Sequence, residues 1–167
     1  IYQANLSHRF RVEGVAQGFP SQGEAGAVLY RQLRKVNPSP HSAFVVLESD
    51  VIVCNSPERL VRLSGRHADM RPIAGTRPRG TDCQDDRQMA EDLLSCPKER
   101  AEHLMLVDLA RNDLGRVCDY GSVRVNELMT VERYSHVMHL VSHISGRLRD
   151  VCNGFDLIRA TFPGGTI

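Results

Sequence analysis

Ala43-Phe44-Val45-Val46-Leu47-Glu48-Ser49-Asp50-Val51-Ile52-Val53-Cys54-Asn55 decides the fold class. Two runs of β-branched and apolar residues flank Ser49-Asp50, so the stretch predicts a hairpin of neighbouring antiparallel strands. Residues 59–64 and 67–74 repeat the pattern around Ser64-Gly65, and a second hairpin is expected there. Upstream, Ala27, Val28, Leu29, Leu33 and Val36 suit one face of a helix over 23–36, which Asn37-Pro38-Ser39-Pro40 stops. Downstream, helices are expected over 87–96 and 98–110, interrupted at Cys96-Pro97, with a short one over 155–161. Residues 1–6, 122–126 and 135–146 read as strands, and 11–23 and 77–87 as loops. Strands adjacent in sequence with helices interspersed make an α+β chain with mostly antiparallel pairing.

At 167 residues the chain is long enough for one domain with a real core, assigned to 1–167. Lys and Arg number 21 against 20 Asp and Glu, a net charge of +1. No global field therefore favours nucleic acid or an anionic membrane surface. No apolar run approaches the roughly 20 residues a membrane helix needs. The five cysteines are odd in number, widely spaced and without a C-x-x-C pair, which argues for reduced thiols in the cytoplasm and against zinc. The chain opens inside an expected strand and closes on Phe162-Pro163-Gly164-Gly165-Thr166-Ile167, a glycine turn that leads nowhere. It is expected to be a segment of a longer protein, truncated at both ends and inactive alone.

Several stretches could carry chemistry. In Lys98-Glu99-Arg100-Ala101-Glu102-His103 the two carboxylates share a helix face. Spacing alone favours a solvated charged face; the alternative is a hard cation such as Mg²⁺, which takes oxygen ligands and keeps waters. Asp108-Leu109-Ala110-Arg111-Asn112-Asp113 follows an apolar run and suits a structural role at a helix end. From Tyr134 to His143 the alternation puts Val137, His139, Val141 and His143 on one side of a strand, and His136, Met138, Leu140 and Ser142 on the other. A histidine there suits either a satisfied core position or general acid–base work. The H-x-x-H offset is not metal spacing on a strand, because an odd offset points its side chains to opposite faces. Pro72-Ile73-Ala74-Gly75-Thr76 and Pro163-Gly164-Gly165-Thr166 are glycine turns in which the backbone can approach a ligand and threonine adds an N–H and a hydroxyl.

Taken in order, Ser56-Pro57-Glu58, Arg71 through Gly80, Lys98 through Asp113, Glu132 through Ser142 and Phe162 through Thr166 strongly resemble the chorismate-utilising enzymes. These include component I of anthranilate synthase, component I of aminodeoxychorismate synthase and the isochorismate and salicylate synthases. The resemblance covers nearly the whole chain, and its motifs are specific. It implies a fold in which antiparallel sheets pack together with helices outside, and chorismate bound between the sheets with Mg²⁺ on its ring carboxylate. Glu99 and Glu102 match the first magnesium-binding segment. Glu58 matches the acid that protonates the departing C4 hydroxyl. His139 matches the histidine that assists ring chemistry. Ala74, Gly75, Thr76 and Thr166 match turns that contact the substrate.

Gln3 aligns where the water-using relatives carry a lysine base. An amide cannot deprotonate water, so Gln3 implies ammonia as nucleophile, supplied by a glutamine amidotransferase subunit or fused domain. Tyr134 to His139, Ala101-Glu102-His103 and Ala74 look like anthranilate synthase. Tyr2 to Ser7, Phe162 to Thr166 and His41-Ser42-Ala43 after Pro40 look like aminodeoxychorismate synthase, and this second reading is the one expected. A non-catalytic remnant or binding module of the same fold is the alternative from another class.

Overall fold

The computed structural model describes residues 18–36, 38–56 and 58–164. Gln3, Thr166 and the strand expected over 1–6 lie outside the described residues. The described residues form two compact units, divided between Arg59 and Leu60.

In the first unit, α1 (Gln22–Val36) precedes β1 (His41–Val46) and β2 (Val51–Ser56). The Ser21 hydroxyl accepts the Glu24 N–H at 3.2 Å and so starts α1, satisfying a donor that has no partner within the helix. β1 and β2 pair antiparallel from His41↔Ser56 to Val46↔Val51, the hairpin expected around Ser49-Asp50. The helix lies on this ribbon, with the Tyr30 and Phe44 rings stacked at 5.7 Å. Gly26 permits the approach: a Cβ there would sit 2.6 Å from Cγ1 of Val51.

The second unit holds β3 (Arg62–Ser64), β4 (His67–Met70), β5 (Ile73–Pro78), α2 (Cys83–Ser95), α3 (Pro97–Gly115), β6 (Arg124–Arg133), β7 (Val137–Arg147) and α4 (Gly154–Thr161). Its five strands form an antiparallel sheet in the order β3-β4-β7-β5, with β6 also paired to β7. β7 is the spine: Met70 pairs with Ile144, Thr76 with His139, and Glu132 also with His139.

The alternation in β7 decides which face is core. Met138, Leu140, Ser142 and Ile144 are buried, whereas His139 and His143 are only partly covered. Ala90 and Leu93 of α2 close over Met138 and Leu140. Val107, Ala110 and Leu114 of α3 cluster with Ala68, Ile144 and, from α4, Leu157. Each such side chain, taken fully from water, contributes roughly 1.5–3 kcal/mol for a Val, Leu or Ile.

Three of the boundaries that differ from the sequence reading stand out. The loop expected over 77–87 is shorter, because Asp82 caps α2 by accepting the N–H groups of Gln84 and Asp85 at 2.8 and 2.9 Å. The acidic residues Asp85 and Asp86 then occupy the first turn, where the helix dipole favours them. α3 runs to Gly115 rather than 110: Asp108 accepts from Arg111 and Asn112 at 3.3 Å each, one turn on, so the polar stretch is helical. β6 extends to Arg133 rather than 126, because two register shifts interrupt the alternation by which a strand is recognised.

Candidate active site

The residues singled out from sequence distribute unevenly. Glu58, in the first unit, is exposed, and its backbone carbonyl accepts the Ser56 hydroxyl at 2.7 Å. Ala74, Gly75, Thr76, Glu99, Glu102 and His139 all belong to the second unit. Gly75, Thr76, Glu99 and His139 are brought together there, although 64 positions separate Gly75 from His139.

Gly75 is the meeting point. It is the extra residue between Ala74↔Leu140 and Thr76↔His139, and its φ of +71° is a conformation glycine adopts without a steric penalty. On one side its missing side chain leaves room for α3: a Cβ at Gly75 would lie 3.0 Å from Oε2 of Glu99 and 3.0 Å from Cδ1 of Leu93. On the other side its carbonyl oxygen lies 3.2 Å from Nδ1 of His139. The Thr76 hydroxyl lies 3.0 Å from the same nitrogen. A carbonyl only accepts, so the contact places a proton on Nδ1.

Around His139 stands a second group to which the sequence reading gave no role of its own. The Tyr134 ring lies 5.6 Å from the imidazole, tilted by 59°. The Tyr134 hydroxyl donates to Oε2 of Glu132 at 2.8 Å, and Oε1 of Glu132 pairs with Arg71. Glu132 is the cross-strand partner of His139, so register alone, once β6 is recognised, puts it beside the imidazole.

The two helix carboxylates differ in setting. The Glu99 side chain is 17% exposed and lies 3.5 Å from Nη1 of Arg77. Arg77 is itself held by Asp92 of α2 at 2.6 Å, which keeps its guanidinium firmly protonated. The Glu102 side chain is 51% exposed and lies 3.7 Å from Nζ of Lys98, one turn earlier. Among the described residues no three His, Cys, Asp or Glu side chains are grouped closely enough to hold a metal. Two carboxylate donors on one helix face nevertheless fit Mg²⁺, which binds through one or two carboxylates and completes its octahedron with water and substrate oxygens. Arg77 was also given no role of its own; its signal was the basic run Arg71, Arg77 and Arg79, of which Arg77 lies on β5 with Gly75.

Asp108 and Asp113 take structural parts. Asp113 is buried and pairs with Arg116 at 2.8 Å, and Arg116 reaches the carbonyl of Ala160, tying the end of α3 to α4. Burial pushes the Asp113 carboxyl up from the ordinary range, against the pull of Arg116.

A family profile described as chorismate binding enzyme matches residues 1–167. Aminodeoxychorismate synthase component 1 of Bacillus subtilis is 55% identical over 167 residues, all of this chain and 34% of that protein. Anthranilate synthase component 1 of Aquifex aeolicus is 50% identical, again over all of this chain and 32% of that protein. The chain thus spans about a third of the length of the curated relatives it matches. The crystal structure of anthranilate synthase component I from Streptococcus pneumoniae superposes with a TM-score of 0.71 at 42% identity, covering 82% of this chain and 29% of that one. With its whole length matched and its fold shared, the chain belongs to the chorismate binding enzyme family.

Proposed function

We propose that the chain is the chorismate-binding part of a cytoplasmic, Mg²⁺-dependent enzyme that adds ammonia to chorismate, with aminodeoxychorismate as product. One observation carries the chemistry: a carboxylate of α3 and an imidazole of β7 meet at the Gly75 peptide. A carboxylate suits a cation, and an imidazole held through Nδ1 suits proton transfer at its other nitrogen. The 55% identity to the Bacillus subtilis aminodeoxychorismate synthase favours that product.

In this reading Glu99 and Glu102 hold Mg²⁺, which supplies charge for the substrate carboxylate. Glu58 gives its proton to the C4 hydroxyl, which departs as water because hydroxide alone is a poor leaving group. Ammonia takes its place on the ring, and the added nitrogen then loses a proton, so that the acid is restored. His139 accepts or returns a proton at Nε2 while Gly75 and Thr76 hold Nδ1. Ala74, Thr76 and Thr166 contact the substrate. Gln3, lacking a basic nitrogen, leaves water unactivated, and a glutamine amidotransferase partner supplies the ammonia.

The second reading is anthranilate synthase, favoured by the identity to the Aquifex aeolicus protein and by the likeness to the Streptococcus pneumoniae structure. A full-length protein containing the chain, incubated with chorismate, ammonium and Mg²⁺, distinguishes them. Chromatography should find aminodeoxychorismate. Anthranilate with pyruvate would establish the second reading, and unconsumed chorismate would defeat both.

A further inference from the structure

His103 is the one residue of α3 whose imidazole the chemistry above leaves unused, although it directly follows Glu102 and lies one turn beyond Glu99. It is fully buried. Its Nε2 lies 2.6 Å from the Ser142 hydroxyl of β7, and that hydroxyl accepts the Met129 N–H of β6 at 2.9 Å. Met129 has a φ of +53°, rare for a residue with a side chain. It sits where the β6–β7 register slips between Glu127↔His143 and Thr130↔Val141. Ser142 thus fastens an interrupted stretch of β6 to β7, and His103 fastens α3 to the same hydroxyl.

A buried imidazole is expensive unless its position is used. Among the described residues its Nδ1 has no hydrogen-bond partner, so the ring is held through Nε2. An apolar side chain of similar size would pack there with no orphaned nitrogen. What it could not supply is a directional link from the carboxylate helix to the strand that presents His139 on its opposite face.

We propose that His103, acting through Ser142, is a positioning residue that fixes the Glu99–Glu102 segment of α3 relative to β7. The proposal rests on the reading of Glu99 and Glu102 as cation ligands. Losing the link lets α3 shift along the sheet, and a carboxylate pair displaced by a fraction of an ångström binds a small octahedral cation poorly.

The test uses a full-length protein containing the chain, with Mn²⁺ as a paramagnetic probe counted by electron spin resonance and displaced by Mg²⁺. His103→Ala and Ser142→Ala should each weaken Mn²⁺ binding by about 10–100-fold while circular dichroism stays native. The double variant should be no weaker than the worse single one, because both break one link. His103→Gln, whose amide nitrogen can reach the hydroxyl, should recover part of the loss. Val107→Ala, a core truncation on the same helix, should lower the melting temperature and leave Mn²⁺ binding in place. If His103→Ala fails to fold, Ser142→Ala decides. Unchanged Mn²⁺ affinity in the folded variants, or equal loss in Val107→Ala, overturns the positioning role. A wild-type protein that binds no Mn²⁺ overturns the cation reading of α3 and this proposal together, so the two failures are told apart.

Discussion

The carbonyl oxygen of Gly75 lies 3.2 Å from Nδ1 of His139, in a sheet where the ordinary partner of His139 would be the next residue, Thr76. The extra residue in β5 turns the Gly75 carbonyl toward the imidazole, and a carbonyl there fixes the proton on Nδ1. The same residue lets Glu99 close in from α3, so one backbone irregularity serves both the imidazole and the carboxylate. Alanine at Gly75 would strain both at once.

Gly75→Ala should therefore lose about 1–3 kcal/mol of stability, from the positive φ and from a Cβ against Leu93 and Glu99. Urea denaturation measures it. Activity per folded molecule should fall further than stability does, because the bulge that orients His139 must relax. A variant as stable and as active as wild type would show that the bulge is incidental.

Much of this arrangement was legible in the sequence, and the reasons for the remainder are local. The alternation from Tyr134 to His143 placed His139 and Ser142 on opposite faces, and β7 has them so. The pair Glu99 and Glu102 was visible from helical spacing, but spacing cannot say that Arg77 and Gly75 cover one of them while the other faces solvent. Glu132 was given no role because β6 carries two register shifts, and an interrupted alternation does not read as a strand. Asp82 and Asp86 looked like part of a charged loop; only the cap and the ion pairs they make reveal a helix start. His103 was hidden by its neighbours, since a histidine inside a charged run reads as surface until the helix is turned against a sheet.

Glu102→Gln and Glu99→Gln test the cation reading in a full-length protein containing the chain. A neutral amide cannot balance a dication, so Glu102→Gln should cripple turnover by roughly a few kcal/mol of transition-state stabilisation and demand more Mg²⁺. Glu99→Gln should act in the same direction and more mildly, since Arg77 already offsets the Glu99 charge. Activity titrated against Mg²⁺ measures both. Wild-type rates at low Mg²⁺ would remove α3 from the metal site.

Asp86 predicts an acid-sensitive joint. Its carboxylate accepts from Nε of Arg79 at 2.6 Å, from the Gly80 N–H at 3.0 Å and from Nε of Arg133 at 3.0 Å. Arg79 first, then the Gly80 N–H, hold its pKa at about 2. A depressed pKa means the folded state prefers the charged form, so the stabilisation is complete above the ordinary carboxylate value of about 3.9 and is lost as pH falls toward about 2. Asp86→Asn should be less stable than wild type at neutral pH, and the gap should close across that window. Chemical denaturation at stepped pH follows it; a gap that persists unchanged at the acid end would mean the aspartate acts through shape alone.

Glu58 and Gln3 separate leaving-group chemistry from the choice of nucleophile. Glu58→Gln, in a full-length protein supplied with ammonium, should abolish chorismate consumption, because cleavage of the C4–O bond would lack its acid. Gln3→Lys should leave the imidazole and the α3 carboxylates as they are and divert product toward isochorismate, because an amine in a dry site can lose its proton and then take one from water. The two outcomes are independent, so each residue answers for itself. Product chromatography resolves them in a single run. Continued amination by Glu58→Gln would take the acid role from Glu58. A Gln3→Lys protein that only loses activity, with no oxygenated product, would leave position 3 without a part in choosing between ammonia and water.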